Sequence, residues 1–445
     1  MKKTRIILSL FIIIYFGLLP AFSQVAEITG QFRPRYEFRH GYKTLIPDDE
    51  EAANFVSQRT RLNFKYSDNW FNVGLSLQNV GVWGETGTLS SSDVNGTALH
   101  EAWGEIFLGN KLSLKAGRQE IVYDDQRIFG NVDWAQQGRS HDAAILTVKP
   151  NDMCRFDFGF AYNANSESNF KEFYSTTEYR TFQYLHWHRD MGDLSFSVLL
   201  LNNGLPWLEM TDTTDAGIPE EKITYSQTFG TRISYKKEKF SANAAFYLQT
   251  GKIAADSTGD GIMESTRDLS GLYLAADAIY KVTDNFSAGG GFEYLSGNSL
   301  KGPSEKDKAF KPLYGTNHKF NGWMDYFYVG SYMQSVGLLD IYIPLTYKKD
   351  KFSASVITHL FNSAGDLAGT DENGNLVDFD KYLGTEVDVM LSFAISPAAT
   401  IKAGYSQMFA TESMELLKGG NYENTNNWGW VMIDLKPTFY KSEKK

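Results

Sequence analysis

Cysteine is nearly absent. The 445-residue chain holds one, Cys154, which excludes an internal disulfide framework. Long apolar runs are missing after the first twenty residues, so no later segment reads as a membrane helix. Proline is scarce, at 11 positions, and no linker, second domain or low-complexity tract stands out. Cations are outnumbered, 43 Lys and Arg against 53 Asp and Glu. An acidic balance excludes general nucleic-acid binding.

Compact catalytic or metal-binding patterns are missing too. Ser140, His141 and Asp142 are adjacent, so on a strand they alternate faces and cannot form a triad alone. The run Asp256 to Gly261 has the look of a calcium loop, but Arg267 stands where a bidentate Glu belongs, so it reads as a plain Asp/Gly turn. His186 and His188 flank Trp187 and are expected at a strand end among girdle residues. No enzyme activity, metal or cofactor is expected.

What is present begins with a processing signal. Lys2, Lys3 and Arg5 precede an apolar run from Ile6 to Leu19 and the small-residue stretch Pro20-Ala21-Phe22-Ser23. This is expected to be a secretory signal peptide, residues 1–23, cut before Gln24. Its removal takes the cations to 40 against 53 acids, a formal charge of about −13. Aromatics make up 15% of the chain, yet mean hydropathy is mildly polar. Rich in aromatics but polar on average, residues 24–445 fit a transmembrane β-barrel, whose strands are only half apolar.

Alternation supports that class. In 28–39, Ile28, Phe32, Pro34, Tyr36 and Phe38 share one face, and Gln31, Arg33, Arg35, Glu37 and Arg39 the other. In 58–66, Leu62 and Phe64 oppose Arg59, Arg61 and Lys65. Period two with charge on one face is a strand signal, and in a barrel the charged face looks into the lumen. Strands are expected near 25–39, 55–66, 70–82, 97–108, 111–122, 140–149, 153–163, 178–189, 193–203, 223–236, 239–251, 268–282, 285–296, 336–348, 351–363, 382–396, 399–410 and 425–436. These are eighteen antiparallel strands in one all-β barrel.

The connections alternate strictly between short and long. Tight turns such as Gly109-Asn110 and Lys237-Glu238 are expected on the periplasmic side. Long loops such as 123–139, 204–222 and 297–335 are expected outside the cell. That places both termini in the periplasm of a Gram-negative envelope.

Lumen-facing charge is uneven. Parity brings Arg33, Arg35 and Glu37 inward, along with Glu101, Glu105, Asp157, Asp277, Glu293, Asp340, Glu386 and Asp388. Arg118 has a parity conflict. Counted from Leu112 and Leu114 it points to lipid; a bulge near Gly117 is expected to turn it inward, with a place at the rim as the alternative. The loop after it, with Arg127, Asp133 and Arg139, is expected to fold back into the lumen near Arg59 and Arg61.

Two blocks carry a resemblance. Gly117-Arg118-Gln119-Glu120, Tyr123 to Trp134 and Gly138-Arg139 form one, and His318 to Asp325 the other. With Arg35-Tyr36-Glu37 and Gln58 to Leu62, they resemble the alginate export family of outer-membrane barrels. The resemblance implies an eighteen-stranded monomer whose arginine-rich constriction passes an acidic polysaccharide. It assigns Arg59, Arg61, Arg118, Arg127 and Arg139 to that constriction; Arg33 and Arg35 join from parity.

The expected function is passive passage of small anionic solutes or anionic polysaccharide across outer-membrane lipid. The alternative is a plugged barrel acting as a surface glycan receptor or adhesin, with Trp207, Tyr314, Trp323 and Tyr326 stacking on sugars.

Overall fold

The computed structural model of the chain describes residues 24–174, 179–210, 219–256, 259, 262–302, 304–328, 336–370 and 373–442. The expected signal peptide lies outside the described residues, as does most of the Asp256–Gly261 turn.

Eighteen antiparallel strands close into one barrel. They are β1 (Val25–His40), β2 (Ala53–Ser67), β3 (Phe71–Val82), β4 (Ala98–Phe107), β5 (Leu112–Gln119), β6 (His141–Asn151), β7 (Cys154–Tyr162), β8 (Thr181–Met191) and β9 (Leu194–Met210). The circuit continues with β10 (Pro219–Lys237), β11 (Phe240–Ala255), β12 (Gly271–Lys281), β13 (Phe286–Leu295), β14 (Leu338–Lys349), β15 (Phe352–Asn362), β16 (Tyr382–Ser396), β17 (Ala399–Ala410) and β18 (Asn426–Leu435). Each pairs with its chain neighbours, and β18 pairs with β1 at Tyr36↔Val431 and Glu37↔Trp430. Closure leaves no free sheet edge, which backbone N–H and C=O groups require in lipid. After Pro437 the chain resumes pairing, and Thr438–Lys441 continues the seam along β1.

Alternating side chains explain why these segments form a wall. On β3, Phe71 and Val73 are exposed on the outer face while Gly74, Ser76 and Gln78 are buried inside. Ile341, Ile343 and Leu345 face outward on β14, and Asp340 inward. The apolar outer face suits hydrocarbon and the inner face does not.

Short and long connections alternate as the sequence implies, but three of the expected long loops carry strand: 252–267, paired from Lys252↔Asp268 to Ala255↔Ser265, 364–381, paired from Leu367↔Phe379 to Thr370↔Leu376, and 204–222. The ladder between β9 and β10 runs on from Gly204↔Tyr225 to Met210↔Pro219. Most of the expected loop 204–222 is therefore strand, and Trp207 sits in that ladder. Its alternating Leu, Trp, Ile and Tyr residues extend a hairpin despite the charges between them.

Two long loops turn into the lumen, 120–140 and, in the loop that follows Leu295, the described residues 304–328. They pair with each other: Phe129 and Tyr314 form an isolated bridge, Gly130 N–H donates to Tyr314 O at 2.8 Å, and Thr316 N–H donates to Gln126 O at 2.9 Å. Among the described residues, six of the nine non-glycine residues with positive φ lie in them: Asp124, Gln126, Val132, Leu313, Asn321 and Asp325. Such conformations persist only where surrounding contacts over-determine them. Contacts of that kind are present. Ile128, Phe129, Met324 and Tyr326 are buried in one apolar cluster with the wall residues Phe182, Tyr184, Tyr273, Phe361 and Trp428. The hydrophobic core of this barrel is inside it.

Candidate functional site

The site is built where the first infolded loop meets β1 and β2. Parity sends Gln31, Arg33, Arg35 and Glu37 of β1 inward, and Ser57, Arg59 and Arg61 of β2 beside them. Arg33 and Arg59 are directly opposite in the register. Two like charges so placed repel unless something neutralises them. The loop tip does so. Asp133 Oδ1 lies 2.6 Å from Arg59 Nη2, and Oδ2 lies 3.6 Å from Arg33 Nη1.

Backbone carbonyls of the loop supply further acceptors. Arg33 donates to Asp133 O at 2.8 Å, Ala135 O at 3.2 Å and Gln136 Oε1 at 3.0 Å. Arg35 donates to Trp134 O at 2.8 Å and pairs with Glu37 at 2.9 Å, its guanidinium 4.0 Å from the centre of the Trp134 ring. Arg59 also donates to Gln31 Oε1 and Gln136 O. Arg61 donates to Gln78 Oε1 at 2.8 Å and faces Glu120 at 3.8 Å. Burial would push the Asp133 carboxyl up, but the Arg59 and Arg33 guanidiniums outweigh it and hold the group at about 2.

Not every expected residue joins this cluster. Arg127 is buried on the far side of the loop pair, donating to Glu293 Oε2 and Asn321 Oδ1, each at 2.9 Å. It is inside the barrel, as expected of the loop, but away from Arg59 and Arg61. Arg139 donates to Gly315 O at 3.0 Å and ties the two loops together.

Arg118 is outside. The pairing of β5 with β4 and β6 runs through Gly117 and Arg118 with no register shift, so the expected bulge does not form. Parity prevails, and Arg118 meets Asp142 at 2.9 Å near the long-loop rim, with 43% of its side chain exposed. It donates to Leu99 O at 3.1 Å. His186, expected in a girdle, turns inward and meets Asp124 at 3.2 Å.

Residues outside the expected constriction set complete the site. Gln136 is buried between Arg33 and Ser57. Trp134 lies between Arg35 and His318, stacked on the imidazole with centroids 4.5 Å apart. His318 Nδ1 is 2.8 Å from Asp325 Oδ1. Gln31 had a lumen-facing position by parity; Gln136 had no signal, because its role depends on how the loop folds.

Cavities flank the loop pair on both sides. On the long-loop side a cavity of about 440 Å³ is lined by Arg35, Arg39, Lys43, Phe55, Trp134 and Tyr328, among others. Arg39 carries the most accessible guanidinium of β1, 32% exposed, 4.1 Å from the Tyr42 ring centre and 4.8 Å from that of Phe55. On the short-turn side, cavities of about 380 and 290 Å³ share Asp125, Arg232 and Lys319. Neither shares a lining residue with the outer cavity.

No family model and no curated protein matches this chain. Solved structures do. Pseudomonas aeruginosa OccK9 (OpdG) matches at 11% identity and TM-score 0.58, over 93% of this chain and 98% of its own. Acinetobacter baumannii OccAB4 matches at 12% and 0.58, over 93% and 98%. Pseudomonas aeruginosa OpdK, solved with vanillate, matches at 10% and 0.55, over 93% and 99%. At such identity the likeness establishes the fold, a closed antiparallel barrel of eighteen strands. It lends no support to the alginate export family in particular.

Proposed function

We propose that this barrel is a passive outer-membrane channel for small anionic solutes bearing a carboxylate. The observation that carries this reading is the outer cavity. There Lys43, and Arg39 with its Nη1 edge left over from a 2.9 Å pair with Glu37, present charge beside the rings of Tyr42, Phe55 and Tyr328, in a lining that also holds Glu85 and Asp325. Arginine suits a flat carboxylate, and the rings suit an apolar or aromatic body. The vanillate in OpdK is of that class, and the shared fold favours the same use of the lumen.

The proposal names small solutes in place of a polymer. The infolded loops pack against the wall across the lumen, and the outer cavity of about 440 Å³ suits a small molecule better than a chain. Arg33 and Arg59 belong to the frame of the site, because loop carbonyls, Gln31, Gln136 and Asp133 already occupy their donors. Solute is met by Arg39 and Lys43. The protein works as a monomer with no cofactor. Its short turns and both termini face the periplasm.

Planar-bilayer recording tests this. Wild-type protein in a salt gradient is expected to show anion selectivity, reduced in Arg39→Ala with Lys43→Gln. A cation-selective pore that the double substitution leaves unchanged would overturn it. One observation favours a second reading, a plugged surface receptor: the apolar cluster that packs the loops across the lumen. Absence of any conductance, with glycan binding at the cell surface, would establish that reading instead.

A further inference from the structure

The inner cavity holds two charged groups that make no direct ion pair among the described residues. Its walls hold four carboxylates, and three are accounted for. Asp125 is paired with Arg232 at 2.5 Å, Glu293 with Arg127 at 2.9 Å and Asp340 with His359 at 3.0 Å. Asp277 is different. It accepts from Asn243 Nδ2 at 2.9 Å and has no cationic partner among the described residues. Lys319 mirrors it: its ammonium donates to Asp125 O at 2.9 Å and has no carboxylate partner among the described residues.

We propose that this cavity binds a small zwitterion, an amino-acid-like molecule with an ammonium, a carboxylate and an apolar arm. The ammonium is met by Asp277 and the carboxylate by Lys319. Ile279, Pro344 and Ile357 line the same space and receive the arm. At about 290 Å³ the cavity holds one small molecule. A bare amine would satisfy Asp277 and leave Lys319 with no direct carboxylate contact. A bare carboxylate would do the reverse. Only a ligand with both charges leaves neither group unmatched.

The backbone keeps Asp277 available. Gly291 lies opposite it in the β12–β13 register. A Cβ there would stand 2.6 Å from Tyr342 Cζ and 2.8 Å from Asp277 Cβ. Without it, the Tyr342 ring packs close over Gly291, next to Asp277. Entry is from the short-turn end, where the adjoining cavity opens past His188 and Ser195. The site does not depend on whether the outer cavity admits solute.

Calorimetric titration of the full barrel in detergent tests this without recourse to conductance. The probes are leucine, isoamylamine with only its cationic end, and isocaproate with only its anionic end. Leucine is expected to bind about tenfold or more tighter than either analogue, the scale of one charge-assisted hydrogen bond. Asp277→Asn should bring leucine to the isocaproate level, and Lys319→Gln to the isoamylamine level. Undetectable leucine binding, an analogue that binds as well as leucine, or a leucine affinity unchanged by Lys319→Gln would overturn the proposal. Heat-dependent gel mobility reports whether each variant folds. If Asp277→Asn does not, Lys319→Gln in the loop and the wild-type analogue comparison decide.

Discussion

Arg59, in the barrel wall, holds Asp133, at the tip of an infolded loop, at 2.6 Å. The two are 74 positions apart. Arg59 is 1% exposed and Asp133 52%, so the pair joins a buried cation to a partner that still touches water. Removing the carboxylate leaves Arg59 with Gln31 and Gln136 alone. Asp133→Asn is expected to cost about 1–2 kcal/mol, less than a fully buried pair because solvent screens the acid. The denaturant midpoint of the barrel, compared with wild type, measures it.

The same pair sets a pH window. The Asp133 carboxyl is held at about 2, below its ordinary 3.8. A depressed acid stabilises the fold fully above its unfolded value, and that contribution is lost as pH falls through the folded one. Trp134 adjoins Asp133 in sequence and stacks on His318, so the part of the emission lost in Trp134→Phe, one of nine tryptophans, reports loop seating. The emission is expected to stay constant from neutral pH down to about 4 and to change between about 4 and 2. Asp133→Asn should lose that transition. A wild-type transition centred above pH 5 would contradict the assignment.

The two infolded loops meet backbone to backbone, and two glycines allow it. A Cβ on Gly130 would collide with Thr316 Oγ1 and stand 2.9 Å from Thr316 N; one on Gly315 would collide with Arg127 O. Gly130→Ala and Gly315→Ala are each expected to cost about 1–3 kcal/mol by forcing the loops apart. Separation joins the outer and inner cavities, so single-channel conductance should rise in both variants. Gly104→Ala is the control, since a Cβ there meets nothing within 4 Å.

The wall was legible in the sequence because its signal is local. Phe71-Asn72-Val73-Gly74 shows period two without reference to anything distant, and turn residues bound each run. Parity also placed Arg33, Arg59, Asp277 and Asp340 on the lumen face. The interior was legible only in part. That the loop after Gln119 folds inward followed from its charge, but Arg127 meeting Glu293, and Gln136 meeting Arg33, depend on contacts across 166 and 103 positions. No periodicity encodes those. The β9–β10 extension was missed for the opposite reason: Glu209, Glu220 and Glu221 look like loop chemistry, yet outside the bilayer a strand can carry charge on either face.

Arg118 supplies the sharpest contrast with its neighbours. Its pair with Asp142 is 43% and 61% exposed on the two sides, and exposed ion pairs contribute about 0–1 kcal/mol. Because Arg118 stands on the outer face at the rim, a solute inside the barrel does not meet it. Arg118→Ala is therefore expected to leave stability within about 1 kcal/mol of wild type and anion selectivity unchanged. Arg39→Ala, from inside the outer cavity, should reduce selectivity. Reversal potentials for the two variants under one salt gradient distinguish them. Equal losses would mean that β5 turns Arg118 into the lumen after all, through the bulge at Gly117 that the continuous register with β4 and β6 excludes.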